Sequence, residues 1–302
     1  MKHPVTVVIP AYKKTGELVR NLNRNLPYLK GVEVIVVNDF PSCSIAPEIS
    51  AFPGVKLIEH TKNTGFSGAV NTGIRAAKGR FVMLLNSDVR LLSDSWHHAL
   101  DHFTGNNRLF AVSFAQRERD GRIVGKNRLY WHQGFMQHMP AKDLDFGPTA
   151  WAEGGASIFD REKVTTIGLF SELYSPFYWE DIDLSYRARK CGYELLFDPG
   201  ILVDHHHEST IGAFFSAGTV RKIAFRNQIL FVWANITDPV LLLDHLLWLP
   251  VWKIRSLFSG NVAFLAGLLA ATLQLPAALT SRKTRSGKLV PDDRILNITQ
   301  SL

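Results

Sequence analysis

The sequence predicts an α/β protein with a Rossmann-like, mostly parallel central sheet, continued by an amphipathic helical extension. Three observations carry this. Short, continuously apolar runs rich in β-branched residues alternate with helix-patterned pieces through about residue 110, as parallel strands covered on both faces do. Each run ends on proline, asparagine, aspartate or histidine. After about residue 215 the chain turns to long apolar stretches edged with tryptophan, lysine and arginine.

In chain order, VTVVIP (5–10) is the first strand, closed by proline, and 16–29 has helical spacing at Leu18, Leu22 and Leu26. VEVIVVND (32–39) and VKLIEH (55–60) are the second and third strands. SGAVNTGIRAAKG (67–79) is a helix entered from a glycine-bearing loop, and RFVMLLNSD (80–88) is the fourth strand. The middle, 110–211, is less regular. It holds the pair Gly154-Gly155, an aromatic run (173–179), an acidic helix start at Glu180, Asp181 and Asp183, and a helix stop at Gly192. ELLFDPGILVDHHHEST (194–210) reads as strand, turn and second strand. A division follows: residues 1–215 form one α/β domain and 216–302 a helical, membrane-associating region. Within the latter, 262–279 is at the short limit for a bilayer span and is interrupted by Gln274 and Pro276. Trp248, Trp252, Lys253 and Arg255 suit a helix lying in the membrane surface, and the basic tail 282–288 would meet anionic headgroups. A packed soluble subdomain and true spanning helices are the alternatives.

A net charge of +7 points to an anionic partner, either nucleotide phosphates or an acidic membrane. Nucleic acid is not expected, because no recognised module accompanies the charge. Cys43 and Cys191 have no metal-like spacing, which argues against a zinc site or disulfide framework and suits a reducing cytosol. Residues 1–4 lead straight into a strand, so no signal peptide is expected.

Ligands of such sheets bind beyond the carboxyl ends of the strands. Pro10-Ala11-Tyr12, Asn38-Asp39 and Asn86-Ser87-Asp88 all fall there. Asp39 can accept from a pyrimidine N3–H or close an Asx turn. Asp88 can hold Mg²⁺ or Mn²⁺, which bridge diphosphate oxygens, or cap a helix. In a strand, His205 and His207 share a face, and one histidine completing a site begun by Asp88 is the expectation. NTGFSGAVNTG (63–73) is neither a dinucleotide fingerprint nor a Walker loop, which disfavours an oxidoreductase.

VVIPAYKK, VIVVND, NTGFSGAVNTGIRAAKG, FVMLLNSDV, GGASIFDRE, GLFSELYSPFYWEDIDLSYRARKCGY and DHHHEST follow in the order seen in family 2 glycosyltransferases of the GT-A fold. Over 5–227 the chain resembles bacterial rhamnosyltransferase-like members. The resemblance implies inverting transfer from a nucleotide-diphosphate sugar, dTDP- or UDP-linked, with Mn²⁺ or Mg²⁺. The acceptor would be a lipid-linked or growing cell-surface polysaccharide at the cytoplasmic face of a bacterial or archaeal membrane. A homo-oligomer is compatible with this reading. By position, Pro10, Ala11 and Tyr12 lie beside the nucleotide and Asp39 reads its base. Asn71 and Arg75 flank it, Asn86 and Ser87 contact it, and Asp88 carries the metal, with His205 reaching metal or diphosphate. Asp181 is the catalytic base, and Glu180 shares that role or orients the acceptor, on which Trp179 and Tyr178 stack. Arg226-Asn227 resembles a phosphate-side pair. Asp183 is left to cap its helix, and Arg187, Arg189 and Lys190 to a solvated or phosphate-side face. Two departures stand out. Asn86 replaces the first acid of D-x-D, and NDFPS replaces the usual DDGS or DNGS. An inverting transfer needs a base and no enzyme nucleophile, consistent with the lack of a serine–histidine or cysteine–histidine pair. The other readings are a catalytically inactive nucleotide- or membrane-binding member and a sugar nucleotidyltransferase. The latter lacks its glycine-rich, basic loop after the first strand.

Overall fold

The computed structural model describes residues 4–205, 211–283 and 289–302. Strands β1 (Val5–Ala11), β2 (Glu33–Asn38), β3 (Val55–Glu59) and β4 (Phe81–Leu85) are parallel, in the spatial order β3-β2-β1-β4. The chain then adds β5 (Val89–Leu91), β6 (Leu109–Arg117), β7 (Ile123–Val124), β8 (Asn127–His132), β9 (Phe135–Pro140), β10 (Gly147–Pro148), β11 (Ala156–Asp160) and β12 (Glu194–His205). Strand β11 lies antiparallel between β4 and β6, β12 runs parallel to β6, and β8–β9 form a separate hairpin. The sheet is thus mixed, with its parallel part where the apolar runs predicted it. The 194–205 segment is one bent strand rather than two. Its register slips between Asp198 and Leu202, where Asp198 Oδ1 accepts from Gly200 N at 2.8 Å.

Alternation along β1 shows why both faces are covered. Val5, Val7 and Ile9 meet Leu18 and Leu22 of α1 (Thr15–Asn25), whereas Val8 meets Val70 and Ile74 of α3 (Gly65–Ala76). Short helices α2 (Ala46–Ile49), α4 (His98–Phe103) and α5 (Arg161–Thr166) fill the flanks. Helix α6 (Glu180–Lys190) presses Leu184 and Ala188 toward the sheet side, and Ile182 and Tyr186 into a second core. That core includes residues of α8 (Ala217–Asn235), α10 (Val262–Leu273) and α12 (Asp292–Thr299). The remaining helices are α7 (Ile211–Phe214), α9 (Pro239–Ser259) and α11 (Leu275–Lys283). Among the described residues no single helix is long and apolar enough to cross a membrane. Helices α10 and α11 together would be, but they bend by 59° at their break.

The sandwiched position of α6 overturns two sequence expectations. Arg187, Arg189 and Lys190 are buried, not solvated. Arg187 donates to Asp183 Oδ2 at 2.7 Å and to the carbonyls of Ile167 and Leu169, both at 2.6 Å. Arg189 donates to the Thr149 and Ala150 carbonyls, and burial lowers its pKa to about 10. Lys190 Nζ donates to Thr237 Oγ1 at 2.6 Å and pairs with buried Asp292. Asp183 is likewise no helix cap. It is fully buried, accepting from Tyr174 Oη at 2.9 Å and from Asn235 Nδ2 at 2.8 Å besides Arg187.

Helix α9 is tied to the tip of the β8–β9 hairpin. Asp244 Oδ2 accepts from Trp131 Nε1 (2.7 Å) and Gly134 N (3.0 Å). His245 Nδ1–H donates to the Gly134 carbonyl at 2.7 Å, and its Nε2 accepts from Trp233 Nε1 at 3.0 Å. This geometry requires a neutral imidazole. Burial pushes the His245 pKa below its usual range, outweighing the Gly134 bond and the Asp244 charge, and burial lowers His138 as well. The unfolded chain therefore takes up these protons first. The stability they lend is present above about pH 6.5 and is lost as pH falls through the lowered folded-state values. Thermal unfolding across pH 7.5 to 5 should show a falling midpoint, with a shallower slope in His245→Gln. An unchanged slope in that variant counts against the assignment.

Candidate active site

The site is built at the carboxyl rim of the sheet. Two asparagines one turn apart on α1 fasten the segment that leaves β4. Asn21 Nδ2 donates to the Ser87 carbonyl at 2.9 Å, and Asn25 bridges the Val89 carbonyl and Leu91 N–H at 2.9 and 2.8 Å. Pairing of β5 with β12 sets His205 opposite Val89. Asp88, which precedes Val89, and His205 therefore meet at one end of this pairing, with Nε2 3.3 Å from Oδ1 and side chains 5% and 10% exposed for His205 and Asp88. The buried Gln116 Oε1 accepts from His205 Nδ1–H, and Nε2 faces the carboxylate.

The glycine pair links this couple to the acidic helix. A Cβ on Gly155 would stand 2.7 Å from Asn86 Nδ2 and 2.9 Å from His205 Cε1, so only glycine allows their approach. Gly155 O accepts from Asn86 N at 2.9 Å, and Gly154 N lies 3.4 Å from Asp181 Oδ2. Base candidate and metal candidate thus share one short backbone segment. The sequence showed the pair Gly154-Gly155 but not this role.

Asp181 is partly exposed, and its Oδ1 also accepts from Ile182 N at 2.8 Å. Its neighbour Glu180 is buried, and Oε2 has no hydrogen-bond partner among the described residues. Burial, then the charges of Asp181 and Asp183, push the Glu180 pKa well above the usual carboxylate range. The turn before them is strained, since Tyr178 and Trp179 both have positive φ, 70° and 77°. Asn227, fully buried on α8, holds that turn by donating to the carbonyls of Tyr174, Phe177 and Tyr178 at 2.8, 2.9 and 2.8 Å. Arg226 donates to Asn227 Oδ1 (2.8 Å) and to the Ser175 carbonyl. The pair expected on the phosphate side is therefore a clamp on the loop before Asp181.

Asp39, the candidate base reader, is a hub of hydrogen bonds. Its Oδ1 accepts from His60 Nδ1, Thr64 N and Thr64 Oγ1 at 2.8–2.9 Å, and its Oδ2 from Gly65 N at 2.8 Å. It therefore fixes the start of α3, a commitment invisible in VIVVND. Pro10 and Ala11 end β1 beside it, with Asp39 N donating to Ala11 O at 2.8 Å. Tyr12 lies edge-on to Phe40 and Phe214, and Lys13 Nζ sits 4.3 to 5.2 Å from all three rings.

Three placements differ from expectation. Asn71 spends its amide on Phe170, donating to O at 2.8 Å and accepting from N at 3.0 Å, so it ties α3 to the loop after α5. Arg75 is exposed near the far end of α3, about 15 Å along the axis from Gly65 at 1.5 Å per residue. Trp179 is 4% exposed and packs on Phe231 and His138, so its ring faces the core rather than an acceptor. Tyr178 stays half-buried at the rim.

Could Asp88 and His205 hold a divalent ion? A carboxylate oxygen faces an imidazole nitrogen whose partner nitrogen is held by Gln116, as the rings of metal-binding histidines are commonly held by a hydrogen bond on their other nitrogen. No third His, Cys, Asp or Glu joins them among the described residues, and His206, His207 and Glu208 lie outside those residues. Two protein ligands suit Mg²⁺ or Mn²⁺, which take their other oxygens from phosphates and water. The residues fit such an ion, which when bound would neutralise charge on a departing diphosphate.

Residues 6–168, more than half of the chain, match the family model Glycosyl transferase family 2. The chain belongs to that family. It is 25% identical over 281 residues to the pre-mycofactocin glycosyltransferase of Mycobacterium tuberculosis, covering 89% of this chain and 56% of that protein. It is 27% identical over 237 residues to the amylovoran biosynthesis glycosyltransferase AmsB of Erwinia amylovora, covering 73% and 75%. With poly-beta-1,6-N-acetyl-D-glucosamine synthase of Staphylococcus epidermidis it shares 25% over 187 residues, covering 61% and 45%. The chain thus spans about half the length of the first and third of these relatives. Among solved structures it resembles GalNAc-T7 with UDP, GalNAc and Mn²⁺ (TM-score 0.58, 19% identity, 76% of this chain and 47% of that one). It also resembles the mannosyltransferase PcManGT of Pyrobaculum calidifontis with GDP-Man and Mn²⁺ (0.55, 17%, 100% and 80%). These likenesses establish the GT-A fold.

Proposed function

We propose that this glycosyltransferase moves a sugar, with inversion, from a nucleoside diphosphate donor to a hydroxyl of a lipid-linked or growing polysaccharide at the cytoplasmic face of the membrane. The donor is dTDP- or UDP-linked, with rhamnose the first sugar to test, and Mg²⁺ or Mn²⁺ is held by Asp88 and His205. One observation carries this reading. Gly154-Gly155 joins a partly exposed carboxylate, Asp181, to the Asp88–His205 couple on a single rim. A base on one side and a metal-assisted leaving group on the other is what an inverting displacement requires. The names of AmsB and the S. epidermidis synthase support a polysaccharide acceptor, and the ligands of the two structural neighbours support a nucleotide sugar with Mn²⁺.

A thermal-shift panel of nucleoside diphosphates and diphospho-sugars, with and without Mn²⁺, tests it. At about 100 times Kd a ligand adds about 2.7 kcal/mol, a shift of several degrees. One base should stand out and the shift should grow with Mn²⁺. Asp88→Asn should lose the Mn²⁺-dependent increment and keep the metal-free shift. No shift with any nucleotide would overturn the proposal. Binding without release of nucleoside diphosphate would identify a non-catalytic member.

A further inference from the structure

Helix α9 carries an unpartnered apolar face. Leu243, Leu247, Val251, Ile254 and Phe258 recur at helical spacing and are all exposed, Phe258 at 89%. Val262, Leu269 and Leu273 extend exposed apolar surface onto α10. Contiguous apolar surface of this kind marks an interaction site. The stripe cannot be turned inward. The other side of α9 is committed to the β8–β9 hairpin through Asp244, His245 and Trp252, whose Nε1 donates to the Gln133 carbonyl at 3.1 Å.

The charge of this region indicates what covers the face. Residues 217–283 contain seven lysines and arginines against two aspartates, Asp238 and Asp244. Both aspartates are already engaged, Asp238 in capping α9 and Asp244 on the hairpin. Lys253 and Arg255 are exposed next to the stripe, and the Arg255 guanidinium lies 5.5 and 5.8 Å from the rings of Trp248 and Trp252. Apolar side chains bordered by tryptophan and cations match the layering of a bilayer interface with anionic headgroups. A second copy fits less well, since Asp238 and Asp244 are already engaged and an identical helix would bring Lys253 and Arg255 no free carboxylate from this region.

We infer that α9, with the adjoining face of α10, lies flat on an anionic lipid bilayer as an interfacial docking surface. This deepens the proposed action on a membrane-borne acceptor, and it adds an orientation. The hairpin held by α9 carries His138, whose ring meets Trp179 edge-on at 5.3 Å, one residue before Glu180. The docked helix therefore bears on the acceptor side of the site, not on the nucleotide side at Asp39.

Vesicle flotation of the full chain tests this. Wild type should float with phosphatidylcholine vesicles containing about one third phosphatidylglycerol, should float less with phosphatidylcholine alone, and should be partly released by high salt. Leu247→Glu/Phe258→Glu should reduce flotation at least tenfold while keeping the wild-type thermal midpoint and nucleotide-induced shift. Lys253→Gln/Arg255→Gln, which leaves the apolar face intact, should abolish the preference for anionic vesicles. The inference falls if wild type does not float, or if Leu247→Glu/Phe258→Glu floats as wild type does. It also falls if light scattering shows a dimer that this double variant dissociates while vesicles capture neither form. Flotation without any nucleotide-induced shift would instead retain the docking surface and reject the enzymatic reading.

Discussion

Asp181→Asn should bind donor nucleotide as tightly as wild type and lose 10²- to 10⁴-fold in transfer, the range a positioned general base contributes. Glu180→Gln should stay within about tenfold of wild type. The contrast rests on two adjacent carboxyl groups in unlike surroundings. Asp181 is partly exposed and oriented by backbone N–H groups of Gly154 and Ile182. Glu180 is buried, and its environment holds the proton on to higher pH. A glutamine keeps the size and shape of the buried Glu180 side chain without its charge, which burial disfavours, whereas an asparagine at 181 removes the only feature a base needs. Initial rates of nucleoside diphosphate release, with binding read separately by thermal shift, decide the matter. If Glu180→Gln is the more damaging of the two, the roles are reversed.

The first four strands and their rim were legible because parallel strands buried on both faces leave a continuous apolar signature and end abruptly in polar residues. Strand alternation left His205 and His207 as candidates to complete a site begun by Asp88, and the resemblance singled out His205, because their meeting depends on β5 pairing with β12 across more than 100 residues. What stayed hidden was the commitment of polar side chains to backbone groups far away in sequence. Asn227, read with Arg226 as a phosphate-side pair, instead holds three carbonyls about 50 residues upstream. Asn71 looks like a ligand-facing residue and instead reaches Phe170. The basic run of α6 follows the pattern of a solvated face, yet separate segments close over it, with Arg187 on the carbonyls of Ile167 and Leu169. Lys190 finds Asp292, and Arg189 finds two carbonyls near residue 150. Trp179 misled for a related reason, because a backbone with positive φ turns its ring into the core instead of toward the rim.

The network around Asp183 should dominate stability. Asp183→Ala should lower the unfolding free energy by about 3–5 kcal/mol, the usual penalty for leaving one member of a buried ion pair without its partner. The thermal midpoint should fall by about 10 °C, at roughly 2–4 °C per kcal/mol for a chain of this size class. The residue is fully buried, so water cannot replace what is lost, and three donors from separate segments converge on it: Tyr174, Asn235 and Arg187. Arg187 would keep its two carbonyl contacts but not its counter-charge. Adding Arg187→Ala should therefore cost less than the sum of the single changes, with a coupling of about 0.5–3 kcal/mol. Strict additivity in denaturant unfolding would show that the pair is not one unit. The same aspartate helps anchor Tyr174, whose carbonyl Asn227 grips at the start of the strained turn. Asp183→Ala should thus lower transfer even at temperatures where the chain remains folded, by letting Tyr178 and Trp179 relax toward negative φ and shifting Asp181 away from Gly154.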